Sequence, residues 1–296
     1  NVLNATNTFN QTMAKKVGPE LDISAWRLQK NVIEVYGYLE TMLKGKRGFL
    51  QKRWGSRKVF GSTRNVISSM EQSADSYDSP RAPDLNTTHV GIHQYIKGCV
   101  PIIANNLITT LIQDLYANPD EEVDLVDRKN MQLVKVRLSQ KTRDKWATID
   151  GLEDLMNGFE QVEARHKPVM LDGRYLALVY NDGEYVKVFK DIKTLPLHLS
   201  KEHVRPLTWA ELFYKAAYDV RNKVSAFITR YPVTNTGSVY ATNPYVKSTQ
   251  TSSMLKVMDE GWSTTEGVYP EWPTLGDPFF DTLSPHSLQL ENLGAD

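Results

Sequence analysis

A run of basic residues between Thr41 and Met70 is the strongest chemical feature of the sequence. It holds eight cations and no acidic residue, in a chain whose 35 basic and 35 acidic residues cancel. The cations are Lys44, Lys46, Arg47, Lys52, Arg53, Arg57, Lys58 and Arg64. Such side chains neutralise phosphates and release condensed counterions, and aromatic residues such as Phe49 and Trp54 can stack on bases. The segment therefore indicates a nucleic-acid-binding surface, with a solvated cationic loop as the alternative.

The order of residues within this segment resembles a known protein family. Residues 44–50, 57–59 and 62–68 follow, without a gap, a segment in the largest catalytic subunit of multisubunit DNA-dependent RNA polymerases. In that family the segment begins the double-psi β-barrel that carries the active site. The resemblance implies that five residues contact the template or the RNA–DNA hybrid: Lys44, Lys46, Arg57, Lys58 and Arg64. Phe60 and Gly61 depart from the family pattern, so the local packing must differ.

A second motif lies between Phe227 and Val246 and resembles the arginine-proline motif of the same family. Arg230 and Pro232 are the retained residues. The resemblance implies that Arg230 contacts the ribose and phosphate of the incoming nucleotide, which a guanidinium fork can bind together. Thr229 replaces the family asparagine and Asn235 its histidine, so sugar discrimination must be built differently.

A third match is the final Gly294-Ala295-Asp296, which resembles the start of the family's magnesium signature with three aspartates. Asp296 matches the first of them, and the resemblance implies a catalytic, metal-binding role for it in an incomplete Mg site. A hard divalent cation needs several oxygen ligands, so one aspartate does not make the site. With the missing initiator methionine, this predicts a piece of a longer or split subunit.

Together the motifs imply an α+β fold with a double-psi β-barrel core, inserted helices and β-hairpins. We expect an N-terminal segment and helix over residues 1–43 and a barrel region over 44–296, with an insertion at about 71–226 and truncation at the metal loop. The divergence resembles that of the split, multisubunit polymerases of giant bacteriophages.

The implied activity is template-directed ribonucleotide addition with Mg ions, by a chain that is inactive alone. The implied partners are β-like and other β′-like polymerase subunits, the DNA template, the RNA–DNA hybrid and ribonucleoside triphosphates, without a membrane. The implied location is the cytoplasm of an infected bacterial host, or the virion. A non-catalytic nucleic-acid-binding or assembly subunit that keeps the barrel is an alternative, and so is a mixed α and β protein whose matches are accidental.

Periodicity predicts the elements that position these residues. Residues 1–19 are polar and predict an irregular segment. Ser24 is the expected N-cap of a helix that ends at Leu43, before Gly45 and Gly48. Its apolar stripe comprises Leu28, Val32, Val35, Leu39 and Met42.

The remaining pattern predicts helices between strand-rich stretches. The expected elements are a surface loop over 71–89, a helix from Pro101 to Tyr116, an acidic turn over 118–130, a strand over 131–138, a helix capped by Asp150 that runs to Phe159, a hairpin around 181–183, a helix from Trp209 to Val224 capped by Thr208, and short strands over 225–296.

Other chemistry finds less support. Cys99 is the only cysteine, which excludes a disulfide framework and predicts a buried, inert thiol. His89 and His93 are four residues apart but have no third ligand nearby, so a pair of loop histidines is favoured over a zinc site. No apolar run reaches the roughly 20 residues that span a bilayer.

Overall fold

The computed structural model describes residues 1–15, 18–55, 59–65, 86–159, 162–229, 236–248, 252–274 and 283–285. The chain divides into two compact units, Asn1–Phe60 and Gly61–Asp296. Helices and strands are mixed along it, which confirms the α+β class. The three sheets of the described residues are open rather than closed into a barrel. Within the described part of the chain, no helix is both long enough and apolar enough to span a bilayer.

The first unit is helical. Its elements are α1 (Val2–Lys15), α2 (Gly18–Leu43) and a π-helical turn (Leu50–Trp54). The expected irregular segment over residues 1–19 was wrong, because α1 occupies most of it. The threonines, which made a helix unexpected here, form hydrogen bonds to the helix backbone. The Thr6 hydroxyl donates to the Val2 carbonyl at 2.9 Å, and the Thr12 hydroxyl donates to the Thr8 carbonyl at 3.1 Å.

Ser24 is not the N-cap of α2, which begins six residues earlier beside Pro19. Its side chain is buried against α1, where its hydroxyl and that of Thr12 are 2.6 Å apart. The helix does end at Leu43 as predicted, and Gly45 follows with φ +82°. A serine that contacts a neighbouring helix from within α2 was thus mistaken for an N-cap residue.

The second unit is built from short helices and strands. The helices are α3 (Ile92–Gly98), α4 (Val100–Thr109), α5 (Gln113–Ala117), α6 (Gln140–Trp146), α7 (Ile149–Gly158), α8 (Val162–Arg165) and α9 (Trp209–Val220). The strands are β1 (Thr87–Gly91), β2 (Glu122–Val126), β3 (Leu133–Arg137), β4 (Met170–Leu171), β5 (Arg174–Tyr175), β6 (Leu178–Asn181), β7 (Tyr185–Phe189), β8 (Val204–Pro206), β9 (Ala226–Thr229), β10 (Val239–Lys247), β11 (Ser252–Met258), β12 (Thr264–Pro273) and β13 (Leu283–Pro285). They form sheets of order β13-β1-β10-β9, β12-β11-β7-β6-β8 and β3-β2-β5-β4.

Strand β2 corrects the expected acidic turn over 118–130. Val123 and Leu125 of this strand are buried, whereas Glu122 and Asp124 lie on its other face. These two carboxylates are opposite Arg137 and Lys135 of β3 in the antiparallel register. The acidic residues therefore belong to the outer face of a strand, where opposite charges across the pair favour this register.

Other predicted boundaries also moved. The helix from Pro101 is broken between α4 and α5, where the Thr110 hydroxyl donates to the Asn106 carbonyl at 2.7 Å. Helix α7 is capped by Thr148 rather than Asp150, since the Thr148 hydroxyl accepts from the Gly151 amide at 3.1 Å. The end of the predicted surface loop is strand β1, and residues 71–85 lie outside the described residues.

The predicted hairpin and the predicted cap of α9 are confirmed. Strands β6 and β7 pair antiparallel, and Gly183 between them has φ +93°. Asp182 accepts from the amides of Glu184 and Tyr185 at 3.0 and 2.8 Å. Burial, together with a hydrogen bond to Asp182, raises the pKa of Tyr180 to about 12. Thr208 caps α9, which forms the centre of the main hydrophobic core with eight of its twelve residues buried.

Candidate nucleic-acid and nucleotide site

The basic segment begins with a tight turn that follows α2. The Gly48 amide donates to the Gly45 carbonyl at 2.9 Å. A Cβ at Gly48 would collide with the backbone of Leu43 and Lys44, so the turn requires glycine there. The turn leaves Lys46 and the adjacent Arg47 exposed, as an electrostatic contact with phosphate requires.

The cations of this segment differ in whether a carboxylate neutralises them. Lys44 forms an ion pair with Glu40 at 3.0 Å, and both side chains are exposed, so the pair is weak. Lys46, Arg47 and Arg64 form no ion pair within the described residues. Of the predicted contacts that the structure describes, Lys46 and Arg64 are therefore the cations whose charge is most available to a phosphate.

Two aromatic side chains accompany the cations. Phe49 and Trp54 are 55% and 70% exposed, at the start and the end of the π-helical turn. An aromatic face in solvent beside lysines and arginines can stack on a nucleobase while the cations hold the backbone. Neither aromatic ring is packed into a core.

The predicted residues of this segment are divided between the two units. Lys44 and Lys46 lie in the first unit, and Arg64 lies in the second, within a non-helical stretch where the Asn65 amide donates to the Thr63 hydroxyl at 3.1 Å. Arg57 and Lys58 lie outside the described residues, and so do Val66 and Ile67.

The arginine-proline motif spans a hairpin. Strand β9 pairs antiparallel with β10, and Thr229 is opposite Val239. Arg230 follows the last residue of β9 and so begins the connection between the two strands. Arg230, Pro232 and Asn235 themselves lie outside the described residues.

This hairpin belongs to a sheet with a long-range parallel pair. Strand β1 lies parallel to β10, with Thr88 opposite Pro244 and His89 opposite Tyr245. The hydroxyls of Thr88 and Thr242 are 2.8 Å apart in the interior, and the rings of His89 and Tyr245 stack at 4.5 Å. His89 is thus in a strand and His93 in α3, so the expectation of two loop histidines was wrong.

The third motif, which ends at Asp296, lies outside the described residues. The last described strand before it in the sequence is β13, which pairs antiparallel with β1. Within the described residues, no group of three His, Cys, Asp or Glu side chains could hold a metal ion. The described residues therefore supply no donor set for magnesium.

A buried ionic network was missed by sequence reasoning. Glu211 is fully buried. Its carboxylate accepts hydrogen bonds from two guanidinium nitrogens of Arg205, each at 2.6 Å, and from the indole N–H of Trp272 at 2.8 Å. It also accepts from the amide and hydroxyl of Thr208. The pattern Thr208-x-x-Glu211 is a capping-box signature that could have identified Glu211, but nothing local indicates Trp272.

The buried cation Lys187 holds the turn between β11 and β12. The Lys187 ammonium donates to the backbone carbonyls of Asp259 and Glu260 and lies 4.4 Å from the centre of the Trp262 ring. Burial lowers the pKa of Lys187. Because its donors are already directed at backbone oxygens, Lys187 acts as a structural anchor for this turn.

Cys99 is partly buried, and burial raises the pKa of its thiol. The thiolate is therefore disfavoured, in keeping with an inert cysteine.

Comparison with protein-family models, with curated proteins and with solved structures finds no match to the chain.

Proposed function

We propose that the chain is part of the catalytic subunit of a multisubunit DNA-directed RNA polymerase. The observation that carries this proposal is the order of three motifs: the basic segment at 44–68, the arginine-proline motif at 227–246 and the aspartate at 296. The first two resemble the corresponding family motifs without a gap. In this proposal the sheet β13-β1-β10-β9 is part of a double-psi β-barrel.

The position of Arg230 supports a role in nucleotide binding. Arg230 follows β9 in the sequence, and the segments that connect strands often carry binding residues. Strand β10 is paired on both sides, by β9 and β1, which gives the hairpin a fixed base. Arg230 would bind the ribose and phosphate of the incoming nucleotide together.

The exposed basic segment supports contact with nucleic acid. Lys46 and Arg64 are exposed cations without an ion pair in the described chain, and Phe49 and Trp54 are exposed aromatics. With Lys44, Arg57 and Lys58 they would attract the template and hybrid backbones and offset the repulsion between phosphates.

The reaction would join the RNA 3′ oxygen to the α-phosphorus of a nucleoside triphosphate as the bond to pyrophosphate breaks. Magnesium supplies the metal chemistry of this reaction in the family. Asp296 would be one donor, and the further oxygens that a hard cation needs are not found among the described residues. The role of the described residues is to bind and orient the nucleic acid.

The test is an Arg230→Ala variant of the complex purified through this chain, with the exposed arginine Arg128→Ala as the matched control. We expect the rate of single-nucleotide addition to fall at least about tenfold for Arg230→Ala, because a bidentate contact in the reacting complex is lost. Retention of the template–primer scaffold should change less than about twofold, and Arg128→Ala should leave both unchanged. An unchanged addition rate would overturn the role of Arg230. If the native complex retains the scaffold but adds no nucleotide, the chain is better described as a non-catalytic nucleic-acid-binding or assembly subunit.

A further inference from the structure

The second half of α2 is an apolar helix surface that its own neighbour does not cover. Helix α1 has 14 residues and α2 has 26, which correspond to about 21 and 39 Å. The two are antiparallel, with Thr12 against Ser24, and Asn1 and Asn31 line the same cavity. The start of α1 therefore lies beside Asn31, and α2 extends beyond it by about three turns.

The uncovered part carries a regular stripe, which we call the α2 seam: Val32, Val35, Leu39 and Met42. These side chains are 50%, 46%, 48% and 49% exposed. Their spacings of three, four and three continue from Leu28 and form a seven-residue repeat. Such a repeat is the signature of a helix that packs along another helix.

The residues beside the seam carry no charge. Asn31 and Tyr38 lie along one edge, and Tyr36 and Leu43 lie along the other. Charges at such positions normally select a partner of opposite sign. Lys30, Glu34 and Glu40 are on the remaining surface of the helix, away from the seam. Two identical seams can therefore meet without repulsion between like charges.

The area of this surface is of the size that a small protein interface buries. The four seam residues, with Tyr36, Tyr38 and Leu43, are each 44–69% exposed. Together they expose on the order of 700 Å², and a helix pair that buries most of it falls at the low end of the range for specific protein interfaces. Two of the seven residues are tyrosines and one is a methionine, which are residue types enriched in such interfaces.

We propose that the α2 seam binds the α2 seam of a second copy of this chain, in an antiparallel pair related by a twofold axis. Val32 would pack on the partner's Met42, and Val35 on the partner's Leu39, each contact occurring twice by symmetry. An antiparallel pair puts the two α1 helices at opposite ends. A parallel pair would bring both α1 helices to the same end, between the two α2 helices, and hold the seams apart. This proposal is independent of the polymerase assignment.

The first test is sedimentation equilibrium of the full 296-residue chain. We expect a mass of about 67 kDa, twice the 33.7 kDa of one chain, at micromolar concentration. The double substitution Val35→Glu with Leu39→Glu should raise the dimer Kd at least about a hundredfold, because it buries four carboxylates per dimer. The matched control is Leu197→Glu, at a fully exposed leucine of the second unit, which should leave the dimer unchanged. Far-UV circular dichroism should show equal helix content in all three proteins.

The second test measures the direction of the pair in a Cys99→Ser background. Val35→Cys and Leu39→Cys proteins are oxidised separately and as a mixture. The proposal predicts that the mixture forms the cross-linked dimer at least about tenfold faster than either protein alone, because these two positions face each other. Faster cross-linking within either single protein would overturn the antiparallel arrangement. If sedimentation or cross-linking shows only monomer at 50 µM, the proposed self-association is wrong, and the seam would have to bind a different protein.

Discussion

Helices α9 and α2 illustrate two ways in which this chain uses apolar residues. Eight of the twelve residues of α9 are buried, including the charged Glu211, whereas Ser24 is the only buried residue among the 26 of α2. Both helices have apolar stripes in sequence. The difference is that strands and helices of the same unit surround α9, while the α2 seam stays exposed. Burial within the chain thus accounts for the position of α9, and binding to another molecule best accounts for the composition of α2.

The largest effect that would test this comparison is loss of the Glu211 carboxylate. We expect Glu211→Ala to reduce the free energy of unfolding by about 3–5 kcal/mol, because Arg205 loses its partner next to the core and Trp272 loses its acceptor. The measurement is urea unfolding followed by tryptophan fluorescence. Glu153→Ala, at an exposed glutamate of α7, should change stability by less than about 0.5 kcal/mol. An equally small effect of Glu211→Ala would contradict the role of the network.

Two leucines, one buried in the main core and one exposed in the α2 seam, allow a direct comparison of the two kinds of apolar surface. Leu107 is 2% exposed in α4, whereas Leu39 is 48% exposed in the α2 seam. Leu107→Ala should cost about 2–5 kcal/mol, since it leaves a cavity in the main core. Leu39→Ala should cost less than about 1 kcal/mol in dilute monomer, where little of its surface is buried. Similar losses in the two variants, measured by denaturant unfolding at nanomolar concentration, would show that the seam is covered within the chain.

The basic segment offers a test by binding rather than by stability. Replacing Lys46, Lys58 and Arg64 with glutamine should lower the slope of log Kd against log salt by up to about 3, at roughly 0.9 per phosphate contact. The control replaces Lys129, Lys135 and Arg137, which are exposed on and beside β3, with glutamine. The measurement is fluorescence anisotropy of a labelled template–primer duplex. An unaltered slope for the first triple variant would remove these residues from the nucleic-acid path.

The smallest expected effect is a pH dependence at Asp172. Desolvation alone would raise its pKa, but hydrogen bonds from the Ser139 amide and from the Thr142 and Ser139 hydroxyls outweigh it and hold the pKa below its ordinary value. The stabilisation is therefore present above the ordinary Asp pKa of about 3.9 and is lost as pH falls through the lower, folded-state value. Because Asp172 is exposed, we expect less than about 1 kcal/mol. Thermal melts between pH 6 and pH 2 should show a shallower acid loss for Asp172→Asn than for the native chain, and parallel curves would contradict this.

The elements that sequence predicted well are those fixed by neighbouring residues. The turn at Asn181-Asp182-Gly183 and the cap at Thr208 depend on backbone amides that lie within three residues. The end of α2 before Gly45 is equally local.

The elements that sequence did not predict depend on distant residues. Strand β1 exists because it pairs with β10 more than 150 residues later, as in the hydrogen bond between Thr88 and Thr242. Helix α1 forms against α2 despite its polar composition, and the acidic stretch became β2 because β3 lies across from it. At the candidate site, the end of α2 just before the basic segment could be predicted from Gly45 and Gly48. The pairing that fixes the β9–β10 hairpin could not be predicted, because it depends on β1, which is more than 130 residues earlier in the sequence.

Primer extension by the complex isolated through this chain tests the polymerase assignment most directly. The complex is supplied with a defined template, an RNA primer, Mg²⁺ and one ribonucleoside triphosphate at a time. We expect the RNA to grow by one residue only with the nucleotide complementary to the template base, and a change of that base to change the nucleotide used. Retention of the scaffold with no extension, or extension that ignores the template base, would contradict it.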